Sequence, residues 1–346
     1  ATTRQQQQNR ALPCKTILRT SLLSFPGASK ILCMESELKL LTRLRQISRL
    51  GILFGIVVGI AHLLTEGISI QAQVVLALIA LAVGIPHGAV DHLVTVPKMA
   101  SLRMALFLSG YLAVVGLAIW FILSANLLGF QLVVLMSAIH FGIGDAAFIS
   151  EIDSRSSRKR FSKIPYALAA GFTPVVIPLV NPQSAEALAA VNPALIGWAG
   201  VFESYLYVAM VGISLAGVIL MLFNRRIDNA LDIGLLLLIS ISAPPLVAFA
   251  FYFGFWHALR HTGRLTLELP KSVVAHQATQ TAKAFWSSVN AGLPALVLVI
   301  AFTVGLALTI GLNLSSEFLW ILLVVIWALT VPHMALTARL DARALR

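Results

Sequence analysis

The feature that most constrains this chain is a series of long apolar stretches separated by short polar breaks. Stretches such as 49–65, 102–130 and 293–314 are long and apolar enough to cross a lipid bilayer. Only 11% of the 346 residues are charged, whereas a soluble domain has about 25%. The chain therefore lacks the polar surface of a water-soluble fold, and the sequence predicts a polytopic helical membrane protein.

The apolar segments predict an all-α bundle of about eight to ten transmembrane helices in a single domain, 34–346. They lie at 50–65, 73–95, 104–124, 128–150, 164–180, 201–223, 231–256, 291–312 and 317–338. Pro244 and Pro245 should break the segment 231–256, because proline removes a backbone donor and clashes with the preceding turn. The number of helices after residue 230 therefore stays open by one.

The net charge of +11 does not indicate a nucleic-acid partner, because the basic residues lie mostly in short breaks between apolar segments. Breaks near 39–49, 98–103, 155–163 and 225–226 would all be cytoplasmic in a multi-pass protein of the cell membrane. Arg260, Arg264 and Lys271 fit this arrangement poorly if the segment 231–256 crosses the bilayer without a break.

Residues 1–33 differ from the rest of the chain. They contain a glutamine run, both cysteines (Cys14 and Cys33) and no acidic residue, and they end just before Met34. Two interpretations are open: a disordered basic targeting leader, or translated upstream sequence with Met34 as the true start, which we favour. Residues 34–346 contain no cysteine, which excludes thiolate metal ligands and cysteine nucleophiles there.

Histidines within apolar segments are the strongest functional signal, because ionisable side chains inside a bilayer are costly. Four motifs hold most of them: GIPHGAVDH (84–92), IHFGIGD (139–145), FWHALRH (255–261) and TVPHM (330–334). His257 and His261 are four residues apart and share one helix face. Two imidazoles on one face indicate a metal site; the alternative is a pair of helix-end histidines at the headgroup level.

Small residues lie close to the other motif histidines. Gly142 and Gly144 beside His140, and Gly88 beside His87, would allow helices to approach closely. The alternative to a metal site is a set of helix-packing and hydrogen-bonding motifs.

These four motifs, in this order, resemble those of the bacteriorhodopsin-related-protein (Brp/Blh) family, integral-membrane β-carotene 15,15′-dioxygenases that make retinal. The resemblance covers most of residues 70–340. One departure is Ala258, where the family's third motif is expected to have serine; this puts a role for a hydroxyl group there in doubt.

The resemblance implies central cleavage of β-carotene by O2 into two all-trans-retinal molecules, in an enzyme that needs Fe(II) and would supply a microbial rhodopsin. It implies His87, His140, His257 and His261 as the iron ligands. Asp91, His92, Asp145 and His333 are then expected to contact these ligands without binding iron, with a ligand role for His333 left open. His62 is expected to be a packing or hydrogen-bonding residue and His276 a surface residue.

The aromatic residues near these motifs are candidates for a tunnel that holds the polyene: Phe141, Tyr252, Phe253 and Trp256. Ordinary packing against lipid or core is the alternative. Arg260, between the two histidines of the third motif, could pair with Asp145 or Asp91, or could extend to the headgroups.

Three other functions remain open from the sequence. Di-iron desaturases need HxxHH boxes, and this chain has none. A membrane transporter could use the same histidines and aspartates as a relay. A carotenoid oxygenase with this site could also cleave off-centre or act on another carotenoid.

Overall fold

The computed structural model describes residues 26–65, 67–96, 100–156, 158 and 161–346, without the side chains of 26–33, 91, 95 and 314–316. All regular elements in these ranges are helical, which confirms the predicted all-α class. Eight described helices are long and apolar enough to cross a membrane. Of the expected leader 1–33, residues 1–25 lie outside the described residues, and 26–33 begin the first helix.

The helices follow the predicted apolar segments with wider bounds. They are α1 (Pro26–Leu64), α2 (Ile70–Ala89), α3 (Asp91–Thr95), α4 (Ser101–Ser124), α5 (Asn126–Ser156), α6 (Lys163–Val180), α7 (Ser184–Val191), α8 (Glu203–Phe223), α9 (Ile227–Ser242), α10 (Pro245–Phe251), a π-helix (Tyr252–Ala258), α11 (Leu259–Thr266), α12 (Pro270–Gln277), α13 (Thr281–Thr309) and α14 (Leu314–Ala344). Short 3-10 turns at Pro193–Leu195 and Gly200–Phe202 lead into α8.

The predicted break at Pro244 and Pro245 reverses the chain. Ser242 at the end of α9 lies against Gly59 of α1. In the following helical run, 245–266, Phe251 lies against Gly55 and Phe255 against Gly51, so later residues of the run meet earlier residues of α1. This run is therefore antiparallel to α1, whereas α9 is parallel to α1. Arg260 and Arg264 return to the end of the bundle that holds the other basic residues, which resolves the topology conflict after residue 230.

One sequence expectation about α1 is wrong. The basic stretch 39–49 is part of this helix rather than a loop, and Arg45 and Arg49 are buried. Both guanidinium groups bind the carboxylate of Asp232 on α9, at 2.8 Å and 2.7 Å. Because both arginines have a buried acidic partner, the helix can continue through the bundle without exposing them to water.

Close contact between α5 and α6 positions one side of the site. A Cβ atom added at Gly142 would meet the backbone carbonyl of Ala167, and one at Gly171 would meet that of Ala138. Gly144, by contrast, faces open space. The sequence prediction of close helix approach is confirmed for Gly142 and wrong for Gly144.

Replacement of Gly142 by alanine should therefore destabilise the protein by about 1–3 kcal/mol, the usual effect of overpacking. Gly144→Ala is the matched control and should raise stability by about 0.5–1 kcal/mol, because alanine favours a helix over glycine. The thermal unfolding midpoint of the detergent-solubilised variants measures both effects. Equal midpoints would contradict the assigned contact.

Candidate metal centre

Five histidine rings from four parts of the chain converge at one point inside the bundle. They belong to α2 (His87), α5 (His140), the π-helix and α11 (His257 and His261) and α14 (His333). The ring of His87 lies 5.0 Å from that of His257, 5.3 Å from His261 and 5.9 Å from His333. The ring of His140 lies 5.4 Å from His257 and 4.9 Å from His333. The four predicted ligands are thus brought together, and His333 lies beside them as a fifth histidine.

Local helix geometry places these histidines. His87 and His333 each directly follow a proline within a helix, Pro86 and Pro332, where the helix loses a backbone hydrogen bond. His257 lies in the π-helix, a wide turn that is frequent at functional sites. His257 and His261 stack with ring centroids 6.3 Å apart, which confirms the prediction that they share one face.

The contacts of the ring nitrogens suit metal binding. His87 directs Nδ1 at the carbonyl oxygen of Gly84, and a metal-binding histidine usually donates its second ring N–H to such an acceptor. The Nε2 atoms of His140 and His333 lie 3.2 Å apart. Neighbouring nitrogens around an ion lie about 3 Å apart when each metal–nitrogen bond is about 2.0–2.1 Å. A hydrogen bond between two neutral imidazoles has the same length.

The fit of these residues to a metal ion rests on donor type and convergence. Among the described side chains, no group of three or more His, Cys, Asp or Glu residues forms a ready ligand shell. The five rings nevertheless form a cluster of nitrogen donors, and neutral imidazole binds iron, zinc and copper well.

The histidine cluster borders an apolar cavity of about 720 Å³. Four of the five histidines line it: His87, His140, His257 and His333. No Asp, Glu, Lys or Arg residue is among the described residues that line it. A cavity of this size and lining suits an apolar ligand with its reactive part held against the imidazoles.

Three of the four aromatic candidates line this cavity. They are Phe141, Tyr252 and Phe253, and the ring of Phe141 is 4.2 Å from that of His257. Trp256 is absent from the lining. Its ring instead lies 3.4 Å from the guanidinium carbon of Arg260, so the structure places it behind the cluster, away from the expected tunnel.

Arg260 is buried and pairs with Asp145, one of the partners expected from the sequence. Its Nη1 donates to Asp145 Oδ1 at 2.6 Å, and its Nε donates to Ser48 Oγ at 2.9 Å. The hydroxyl of Tyr166 donates to the other oxygen of Asp145 at 2.8 Å. Extension of Arg260 to the headgroups is thus excluded. Asp145 fixes the arginine between the two histidines of the third motif.

The remaining candidates lie outside the cluster or outside the described side chains. His92 directs Nδ1 to the carbonyl of Ala89 in its own turn, at 2.9 Å. The side chain of Asp91 is not among the described side chains. His62 accepts a hydrogen bond from the backbone N–H of Ile68, which confirms its expected hydrogen-bonding role.

The expectation that His276 is a surface residue is wrong. His276 is buried on α12, and its Nε2 lies 3.1 Å from Ser36 Oγ of α1. Burial lowers the pKa of this imidazole below its usual value. The short helix α12 packs against α13 and contacts α1 through His276, although its polar sequence surroundings had suggested that this residue is exposed.

Sequence reasoning missed the charged network behind the histidines. Asp232 is fully buried and receives Arg45 and Arg49, with Arg260 at 3.5 Å. A usable signal was present: Arg45 and Arg49 are spaced i, i+4, as are Asp228 and Asp232, within otherwise apolar helices. Matching spacings of opposite charge indicate two helices that pair.

Comparison with known proteins gives one family. The sequence model of the family described as beta-carotene 15,15′-dioxygenase matches residues 78–341. A protein of that name from uncultured marine bacterium 66A03 is 27% identical over 187 residues, which cover 52% of this chain. The same alignment spans 64% of that relative, less than two thirds of its length. No solved structure matches.

Replacement of Arg260 by methionine should destabilise the bundle by about 3–5 kcal/mol, because it removes one partner of a buried ion pair. Arg158→Ala is the control: its ion pair with Asp228 is half-exposed, so about 1 kcal/mol or less is expected. Thermal unfolding midpoints in detergent measure both changes. A shift for Arg260→Met no larger than that of the control would contradict the supporting role of Arg260.

Proposed function

The chain belongs to the β-carotene 15,15′-dioxygenase family, and we propose that it cleaves β-carotene at the central 15,15′ double bond with O2, giving two molecules of all-trans-retinal. The observation that carries this proposal is the cluster of five histidines at the wall of an apolar cavity within membrane helices. A hydrocarbon substrate is concentrated in the bilayer, where this cavity lies.

The proposed reaction balances without a further reductant. The central carbon–carbon double bond and the oxygen–oxygen bond both break, and each of the two carbons takes one oxygen atom as a carbonyl group. O2 is therefore the oxidant, and all its atoms enter the two aldehydes. Neither a nucleophilic side chain nor a carboxylate base is needed for this step.

We propose that iron is the metal that supplies the redox chemistry by activating O2. His87, His140, His257 and His261 would hold it, as the resemblance to the family implies. His333 is a further candidate, since its Nε2 lies beside that of His140. A set of neutral imidazoles leaves the ion its full positive charge, and a carotenoid contributes no ligand of its own.

The protein's own contribution is to bind and orient the polyene. Phe141 and Phe253 lie beside His257, with ring centroids at 4.2 Å and 6.0 Å. A conjugated chain held against these rings would place one double bond near the imidazoles, and such positioning is a large part of catalysis. The apolar walls also exclude water from the reacting bond.

The cavity extends from the histidines to a closed region that we call the inner lobe, whose far end is formed by Ala77, Ala187 and Leu246. Ala77 precedes His87 by ten residues on α2, about 15 Å along the helix. The inner lobe can therefore receive one end of a long linear molecule. Its apolar lining also disfavours the alternative of a transporter, since an ion or proton relay needs polar groups along its path.

His257→Ala and His261→Ala should each lower retinal formation at least about 100-fold, because loss of even a neighbour of a metal ligand can reduce activity by that factor. His276→Gln is the control, since glutamine can keep a hydrogen bond to Ser36 and lies outside the cluster. Chromatography of apolar extracts from β-carotene-accumulating bacteria measures the products. Full activity of either alanine variant, at equal abundance in the membrane, would contradict the proposed site.

Ala77→Phe should shorten the inner lobe, lower turnover and shift the products toward apocarotenals of unequal length. Val75→Phe is the matched control on the same helix, because Val75 is exposed and does not line the cavity. The ratio of apocarotenals to retinal measures the effect. Unchanged rate and products in Ala77→Phe would show that the substrate does not occupy the inner lobe.

A further inference from the structure

We propose that the cavity opens sideways into the bilayer between α4 and α13, and that a linear polyene passes through this opening end-on. We call the opening the slot and define it by Leu108 and Leu112 of α4 and by Leu298 and Phe302 of α13. This inference rests on the proposed function, because it takes the substrate to be a carotenoid.

The exposure of the cavity lining locates the slot. Leu108 and Leu112 are 47% and 65% exposed, and Leu298 and Phe302 are 69% and 50% exposed, although all four line the cavity. The other described lining residues are buried or half-buried. Exposed apolar residues are ordinary in a membrane protein; these four are distinctive because they also border the internal cavity.

Helix packing explains why the bundle is open here. α4 packs mainly on α5 and α14, while α13 packs on α2, α11, α12 and α14. The two helices thus flank α14, which forms the floor of the slot through Ile326, Leu329 and Thr330. The hydroxyl of Tyr111 on α4 lies 3.5 Å from the carbonyl oxygen of Leu329, which places this wall beside the floor.

The α4 wall of the slot lies near the level of the histidines. Leu329, which contacts Tyr111, is one helical turn before His333. On the other wall, Gly292 of α13 approaches the backbone of Pro86, the residue before His87. Leu298 follows Gly292 by six residues, about 9 Å along the helix. The α13 wall therefore lies farther along the cavity from the imidazoles than the α4 wall does.

This arrangement has a consequence for where a polyene is cut. A linear molecule that passes through the slot end-on places its leading part in the inner lobe. The depth of the inner lobe would set the cleavage position, and the slot would leave the other end in contact with lipid.

The chemistry of the slot favours a hydrocarbon occupant. Its four side chains are apolar, and the described cavity lining behind them carries no Asp, Glu, Lys or Arg. A polar solute would lose hydration without compensation there. A lipid acyl chain has the same chemistry as the polyene, so the experiment must distinguish the two.

The test measures loading of β-carotene under anaerobic conditions, so that no cleavage occurs. The protein in liposomes is mixed with β-carotene-containing donor vesicles, and the induced circular dichroism of bound polyene is followed over time. Leu112→Trp and Leu298→Trp fill the slot. Leu117→Trp and Val297→Trp are matched controls on the same helices, at positions 66% and 67% exposed that do not line the cavity.

The two slot variants should load at least about tenfold more slowly than wild type, which is about 1.4 kcal/mol in activation free energy, and both controls should load at the wild-type rate. Equal loading by all four variants would overturn the proposal. So would the absence of any induced polyene signal in the wild type, which would indicate that lipid and not β-carotene occupies the cavity. If wild type loads through the slot but forms no retinal in air, the proposed function fails and the slot stands.

Discussion

The buried guanidinium group of Arg260 is the interaction on which the site depends. It lies between the two histidines of one motif and binds Asp145 on the helix that carries His140. It also binds Ser48 of α1 and stacks on Trp256. A charge within an apolar bundle is stable only when it is paired and hydrogen-bonded. These contacts fix the histidine-bearing run 245–266 against α5 and α1.

Several features of this fold could be predicted from the sequence because they follow from local chemistry. Long apolar segments specify membrane helices, and the Pro244–Pro245 pair specifies a break between α9 and α10. The i, i+4 spacing places His257 and His261 on one face. The sequence offered Asp145 as one of two acidic partners for Arg260, and the structure selects it. Each of these predictions depends on neighbours in sequence or on one pairing rule.

Other features could not be predicted because they depend on which helices meet. The reversal after Pro245 decides at which end of the bundle Arg264 lies. The acidic partners of Arg264, Glu151 and Asp341, come from helices distant in sequence. The sequence predicted that His333 contacts the ligands, but its contact with His140 in particular depends on where α14 lies against α5. Gly142 contacts a backbone while Gly144, two residues later, faces open space. The π-helix at Tyr252–Ala258 cannot be recognised from the hydrophobic periodicity of the sequence.

X-ray absorption at the iron edge, on protein loaded anaerobically with Fe(II), tests the central claim most directly: that the histidine cluster holds one iron ion. The account predicts about one iron per chain, with a first shell of nitrogen and oxygen neighbours only and the outer-ring scattering of several imidazoles. That scattering should be lost in a His257→Ala/His261→Ala double variant. An iron content and spectrum that are the same in the wild type and the double variant would contradict the account.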